Sequence, residues 1–192
     1  MAVLSKSYIS FLLIALVACS AVAQKVNSRS QREFGAEIDI DRPKKVSDDI
    51  LNQVLGNGGE LYVDESPLQF RKRIVGTLID LDGDTNRDFL VQGDDGANVS
   101  GFWLFRNTNG RMRLVLHVRA LGLSLGPKTS RGVREVVAGA ASASKYWGAK
   151  YVFSRGRYRP IKCWEEELID DEATRKKRYF PCREGSLPYW GT

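Results

Sequence analysis

IVGTLIDLDGDTNRDFLV, residues 74–91, combines two apolar, partly β-branched arms with an acidic centre. The arms, 74–79 and 89–91, consist of residue types that favour strands. The centre places a carboxylate at almost every second position around one glycine, at Asp80, Asp82, Asp84 and Asp88. Without a cation these like charges would repel one another. The stretch therefore predicts two strands joined by a turn that binds a metal ion.

Calcium fits this spacing. Ca²⁺ takes about six to eight oxygen ligands, and a tightly turned loop presents side chains 1, 3, 5 and 9 and the backbone carbonyl of residue 7. The predicted carbonyl ligand is Asn86, and the predicted carboxylate ligands are Asp80, Asp82, Asp84 and Asp88. The alternative is an acidic, solvated surface turn that binds no ion.

The flanks of the loop place it among known calcium motifs. An EF-hand would need helices on both sides and Glu at position 12, which here is Val91. The strand-flanked D-x-D-G-D-x-x-x-D pattern instead resembles the calcium loops of FG-GAP/VCBS-type repeats, which occur in integrin-like propellers and in secreted bacterial proteins. A looser likeness to small secreted bacterial proteins with one such loop extends to about Cys163. These repeats usually carry Gly at position 6, where this chain has Thr85, and this departure bears on calcium affinity.

The N-terminus has the features of an export signal. Lys6 precedes the apolar stretch 9–18, and the small residues at 21–23 form a cleavage site, so we predict a signal peptide over residues 1–23. The protein would then be secreted or periplasmic. Residues 16–19 also match a bacterial lipobox, and in that alternative a lipidated Cys19 anchors an outer-membrane lipoprotein.

Either form of processing leaves Cys163 and Cys182 as an even pair in an oxidising compartment, which predicts a disulfide. The bond would close a loop of about 20 residues and stabilise the fold by about 3 kcal/mol in the chain-entropy model. The alternative is two reduced cysteines.

Composition limits the classes of partner. The 192 residues are 43% hydrophobic and 27% charged, as in an ordinary globular domain, and the net charge is +6. Basic residues are scattered among acids along the chain, so we do not expect a nucleic-acid partner. A membrane would be involved only through a lipid on Cys19.

The pattern after the signal predicts one β-rich domain. Residues 24–43 indicate a flexible lead-in, and 44–192 form the domain, which begins with a short helix at 47–55. Asn-Gly at 109–110 and Arg-Gly at 155–156 predict two hairpins. We expect a mainly β (α+β) fold, an antiparallel sheet or sandwich of about seven strands. The strand candidates are 60–63, 70–80, 89–92, 101–105, 111–119, 133–139, 147–155 and 157–164.

Residues 165–178 are acidic first and basic last. The charges fall four residues apart in the order that favours a helix, as between Glu172 and Lys176. We therefore predict a short C-terminal helix that the disulfide pins to the sheet.

Other candidates for chemistry are weaker. The string G-x-S-x-G at 122–126 matches a hydrolase nucleophile elbow, but no helix pattern and no histidine follow it. His117 has no neighbouring metal ligand and is expected to be exposed on the polar face of a strand. Asp94 and Asp95 would be outer ligands of the Asp80 loop. Most aromatic residues are expected in the core, with an exposed strip for carbohydrate or protein binding as the alternative.

The sequence thus predicts an exported, calcium-binding, non-enzymatic interaction or scaffolding domain. Its partner would be an envelope or extracellular protein or a glycan. The alternative is a secreted hydrolase or hydrolase-inhibitor domain that acts at the cell envelope.

Overall fold

A computed structural model describes residues 32–35, 40, 42–59, 61–62, 64–94, 99–129, 131–141, 144–169 and 174–182. The chain divides into Met1–Arg32 and Glu33–Thr192, and the description concerns the second unit apart from Arg32. The predicted signal peptide and Cys19 lie outside the described residues. Within these residues no helix has the length and apolar character needed to cross a membrane.

The described chain contains two short helices and ten strands. The helices are α1 (Asp48–Leu55) and α2 (Pro67–Arg73). The strands are β1 (Arg32–Gly35), β2 (Ile74–Ile79), β3 (Asp88–Asp94), β4 (Ser100–Thr108), β5 (Arg111–Ala120), β6 (Gly122–Lys128), β7 (Arg134–Ala141), β8 (Lys145–Ser154), β9 (Arg157–Ile169) and β10 (Thr174–Phe180). The prediction of a mainly β, antiparallel fold is confirmed, although the strands exceed the predicted seven.

The strands form two sheets. One contains β2-β3-β4-β5, and the other has the order β1-β6-β7-β8-β9-β10. The pairs from β2 to β5 and from β6 to β10 are antiparallel. Strand β1 lies within the stretch that the sequence predicts as a flexible lead-in.

The two sheets contain the same four-stranded meander, β2 to β5 and β6 to β9. In each, the third and fourth strands meet at a turn with two consecutive positive φ angles, at Asn109 (52°) and Gly110 (80°) and at Arg155 (53°) and Gly156 (81°). Each final strand then bulges at the fifth residue after the turn glycine. Corresponding residues lie 46 positions apart. The structure thus contains a second copy of the meander, which the sequence pattern did not reveal.

Three layers stack around two cores. One core lies between the sheets and contains residues such as Leu90, Phe102 and Val136, each fully buried. The other lies between the helices and the four-stranded sheet and includes Val54 and Phe105. The four-stranded sheet is therefore buried on both faces, which explains the continuous apolar runs in its central strands.

Both helices begin at serine caps. Ser47 caps α1 as predicted, with its hydroxyl accepting a hydrogen bond from the backbone N–H of Ile50. Ser66 caps α2 through a capping box with Gln69, and Pro67 occupies the first turn. The prediction that 70–73 begins a strand was wrong, because this capping box starts a helix there. Leu61 and Tyr62 also do not form the predicted strand.

The predicted C-terminal helix was wrong as well. Residues 165–169 continue β9, and 174–180 form β10. The acidic and basic ends of the segment pair across the strands, as in the contact of 2.6 Å between Lys177 Nζ and Glu166 Oε1. Opposite charges in directly opposed positions stabilise a hairpin as well as they would a helix.

Cys163 and Cys182 form the predicted disulfide, with Cα atoms 5.3 Å apart. The bond joins the core face of β9 to the second residue after β10, so it ties the edge strand to the sheet.

Strand β5 differs from its predicted pattern because of its bulge. The register shift beside Leu104 leaves Val115 without a partner and changes the face of the following residues. Leu114 packs against the helix-side core, whereas Leu116 packs between the sheets. A single alternating apolar face was therefore the wrong prediction for this strand.

His117 is not the exposed histidine that the sequence predicts. Its ring stacks on Trp103, with centroids 4.9 Å apart, and its Nε2 atom is buried without a hydrogen-bond partner in the described structure. Burial, aided by the charge of Arg119, lowers the pKa of His117 to about 4. The helices cover this face of the sheet, so its polar residues are desolvated.

We expect the disulfide to stabilise the fold by about 3 kcal/mol, because the cross-linked unfolded chain has less entropy. Urea unfolding of the Cys182→Ser variant measures this difference. Reductant should lower the stability of the natural protein to the level of the variant and leave the variant unchanged. An equal stability of the two oxidised proteins would contradict the prediction.

We expect His117 to make the fold less stable as the pH falls from about 6.5 towards 4. The neutral ring is favoured in the folded state, whereas the unfolded chain takes up a proton first, so the loss reaches at most about 3 kcal/mol. The measurement compares urea unfolding of the natural protein and His117→Phe, which retains a ring on Trp103. The stability difference between the two proteins should change with pH, and a constant difference would contradict the assignment.

Candidate metal centre

The Asp80–Asp88 stretch forms the turn between β2 and β3, as predicted. Ile79 and Asp88 are the last residue pair of the two strands. The side chain of Leu81 is fully buried in the core between the sheets. Its carbonyl accepts a hydrogen bond of 2.6 Å from the backbone N–H of Arg134, which begins β7. The acidic turn is therefore fixed where the two sheets meet.

Three of the predicted ligands lie together. Among the described residues, Asp80, Asp82 and Asp88 can each offer a carboxylate oxygen within 4.8 Å of the others. Separations of this size are compatible with one cation bound between the oxygens at about 2.3–2.6 Å from each. The donors are all oxygen atoms, which suits a hard cation such as Ca²⁺ better than a metal that prefers nitrogen or sulfur.

Asp88 anchors the group. Its carboxylate is almost fully buried and accepts hydrogen bonds from the backbone N–H groups of Leu81 (2.8 Å) and Asn107 (2.9 Å). Burial raises the pKa of the Asp88 carboxyl, whereas the two hydrogen bonds act in the opposite direction. The charges of Asp82 and Asp84 raise it further. Asp88 therefore needs positive charge nearby to remain ionised at low cost.

Two cations from distant parts of the chain supply some of that charge. Arg106 Nη2 and Nε lie 2.6 Å and 3.0 Å from Asp82 Oδ2. Lys128 Nζ donates a hydrogen bond of 3.0 Å to the backbone carbonyl of Asp82. Local sequence analysis did not reveal these residues, because Arg106 follows Asp82 by 24 positions and Lys128 by 46.

The charges around the turn leave an excess of negative charge. The four aspartates at 80, 82, 84 and 88 contribute −4, and Arg87, Arg106 and Lys128 contribute +3. Asp84 and Arg87 are both exposed. The net charge of −1 favours the binding of a cation between the carboxylates.

Asp84 does not join the three carboxylates in this conformation. Asp84 is exposed, and its carboxylate accepts hydrogen bonds from the backbone N–H (2.7 Å) and the side-chain amide (3.3 Å) of Asn86. The structure thus brings together three of the four predicted carboxylates, and the Asn86 carbonyl stays a predicted ligand.

Thr85 does not strain the loop. The residue with positive φ in the turn is Gly83 (77°), whereas Thr85 is not among the described residues with positive φ. The conformation of this turn therefore favours glycine at position 4 of the loop rather than at position 6.

The other candidates lie elsewhere. Asp94 ends β3, at the opposite end of the strand from Asp88, so its prediction as an outer ligand was wrong. Asp95 lies outside the described residues. Ser124 of the G-x-S-x-G string lies within β6, paired with Val137, and no strand-to-helix elbow forms there.

We expect Asp88→Asn to destabilise the fold by about 1–3 kcal/mol in a chelating buffer. The amide cannot accept both backbone hydrogen bonds and directs an N–H group at a buried donor. Chemical unfolding measures the change, and Asp84→Asn, on the exposed side of the loop, is the matched control. Equal effects of the two substitutions would show that the Asp88 contacts do not support the turn.

Comparison of the chain with protein-family models, with characterised proteins and with solved structures gives no match. The likeness to FG-GAP/VCBS-type loops therefore rests on residues 79–91, with the looser likeness that extends to about Cys163.

Proposed function

We propose that the chain is an exported, non-enzymatic interaction or scaffolding domain in which the Asp80–Asp88 turn holds one structural Ca²⁺. The observation that carries the proposal is the convergence of Asp80, Asp82 and Asp88 within 4.8 Å. The negative charge that remains beside Arg87, Arg106 and Lys128 supports a bound cation. The resemblance of the loop to FG-GAP/VCBS-type calcium motifs supports calcium in particular.

The ion would act on the junction of the two sheets. Its ligands flank Leu81, whose side chain and carbonyl both contact the six-stranded sheet. Neutralising the carboxylates would remove their repulsion and stiffen the turn between β2 and β3. Its role would therefore be to stabilise the domain, and no reaction is assigned to it.

Export is supported by the disulfide. Cys163–Cys182 is the kind of bond that persists in oxidising compartments. Secretion or a periplasmic location agrees with the signal predicted over residues 1–23, and outer-membrane anchoring through Cys19 is the alternative. Extracellular calcium modules bind the ion at about 10⁻⁴–10⁻³ M, which suits a calcium-rich environment. The partner would be an envelope or extracellular protein or a glycan.

We expect calcium to raise the stability by about 1–3 kcal/mol when its concentration exceeds the dissociation constant tenfold to a hundredfold. For a domain of this size, the melting temperature should rise by about 2–4 °C per kcal/mol. The measurement is a thermal melt in calcium and in chelator.

Asp82→Ala should abolish the calcium response while the variant still folds. Loss of the Arg106 ion pair lowers its stability in both buffers, so the comparison is between calcium and chelator within each protein. Asp49→Asn, which changes an exposed acid on α1, is the control and should keep the full response. Identical melts of the natural protein in the two buffers would overturn the proposal, as would a full response in Asp82→Ala.

A further inference from the structure

The six-stranded sheet has a second face that points away from the four-stranded sheet. Ala149 and Cys163 point into the core between the sheets, so their neighbours Lys150 and Trp164 point the other way. We call the side of β7–β10 that carries these neighbours the outer face. Its side chains are partly or fully exposed, and Tyr179 is 53% exposed.

Aromatic rings lie directly on the backbone of this face. A Cβ atom on Gly148 would lie 2.2 Å from the ring of Trp164, and one on Gly139 would lie 2.1 Å from the hydroxyl of Tyr146. The two glycines thus leave space that the rings of adjacent strands fill. Tyr179 is the cross-strand partner of Trp164 and extends this row to β10. The result is an aromatic surface across three strands.

Lysines lie over these rings. Lys162 Nζ is 4.3 Å from the ring centroid of Tyr179, and Lys177 Nζ is 4.6 Å from that of Trp164. The described part of the outer face carries a formal charge of +3, from five cations and two carboxylates. These residues are Lys150, Arg157, Arg159, Lys162 and Lys177 with Glu135 and Glu166. An anionic ligand would therefore be attracted to a surface on which the exposed Tyr179 ring lies beside these positive charges.

We infer that the outer face binds an anionic polysaccharide, one whose sugar rings carry carboxylates. The C–H groups of a sugar ring pack against aromatic faces, and its carboxylates pair with lysines. Glu135 lies 2.6 Å from Lys150, and Glu166 lies 2.6 Å from Lys177. The second oxygen of each carboxylate can accept a hydrogen bond from a sugar hydroxyl group.

The same two carboxylates disfavour nucleic acid. A DNA backbone is a row of phosphates without hydroxyl donors, so Glu135 and Glu166 would repel it and offer it no hydrogen bond in return. Each residue of a polyuronate carries hydroxyl groups beside its carboxylate, and these can donate hydrogen bonds to the two acids. Binding of a polysaccharide by the outer face does not depend on the proposed calcium site. The two proposals can fail separately, because a thermal melt tests the calcium site and a polymer titration tests the outer face.

The test is a titration of the exported protein with polygalacturonate at low salt, with its methyl-esterified form as the uncharged probe. We expect the charged polymer to bind at least about tenfold more tightly, because esterification removes the groups that pair with lysine. Tyr179→Ala and Lys162→Gln should each weaken binding about threefold to tenfold.

The chain offers matched controls for both variants. Tyr62→Ala removes a tyrosine of similar exposure (54%) that lies outside the outer face. Lys176→Gln changes the lysine that precedes Lys177 on β10 and points to the opposite side of the strand. Both controls should bind within about twofold of the natural protein. Circular dichroism checks that all four variants fold.

Four outcomes would overturn the inference. They are no saturable binding of polygalacturonate, equal affinity for the two polymers, unchanged affinity in both outer-face variants, and tighter binding of a thymidine oligonucleotide than of polygalacturonate at equal charge concentration.

Discussion

Burial of the four-stranded sheet on both faces is the constraint on which the rest of the structure depends. Helices cover one face and the six-stranded sheet covers the other, so strands β3 and β4 have little contact with solvent. Under this constraint His117 is desolvated, and the bulge in β5 distributes its apolar residues between two cores. The acidic turn connects this buried sheet to the solvent. The side chain of Leu81 is buried, whereas that of Asp84 is exposed.

Charge compensation in this protein is mostly long-range. Arg106 and Lys128 approach Asp82 from other strands, and the acids of β9 are paired with the lysines of β10. Such pairs are individually weak when exposed, but they decide which arrangement of a charged segment is compatible with the fold. The same arrangement concentrates positive charge on the outer face while the acidic turn keeps an excess of negative charge.

The repeated meander relates the acidic turn to basic residues of the second copy. Lys128 and Arg134 occupy the positions that correspond to Asp82 and Asp88, 46 residues earlier. The two turns also contact each other, through Lys128 and the Asp82 carbonyl and through Arg134 and Leu81. One copy thus has the acidic turn and the other has basic residues that face it. The acidic turn therefore occurs in one of the two copies and has no acidic counterpart at positions 128 and 134.

The sequence alone determined the β class, α1, both tight hairpins, the disulfide pair and the acidic turn. Each depends on local signals: alternating apolar residues, a serine cap, glycines with positive φ, and closely spaced carboxylates. The tertiary structure decided that residues 165–169 and 174–178 are strands and not a helix. It also decided where β5 bulges, that His117 is buried, and which aspartates converge. These features depend on a neighbouring strand or on the layers that cover a strand, which a local pattern does not reveal. A charge pattern that suits a helix also suits a hairpin once a neighbouring strand is present.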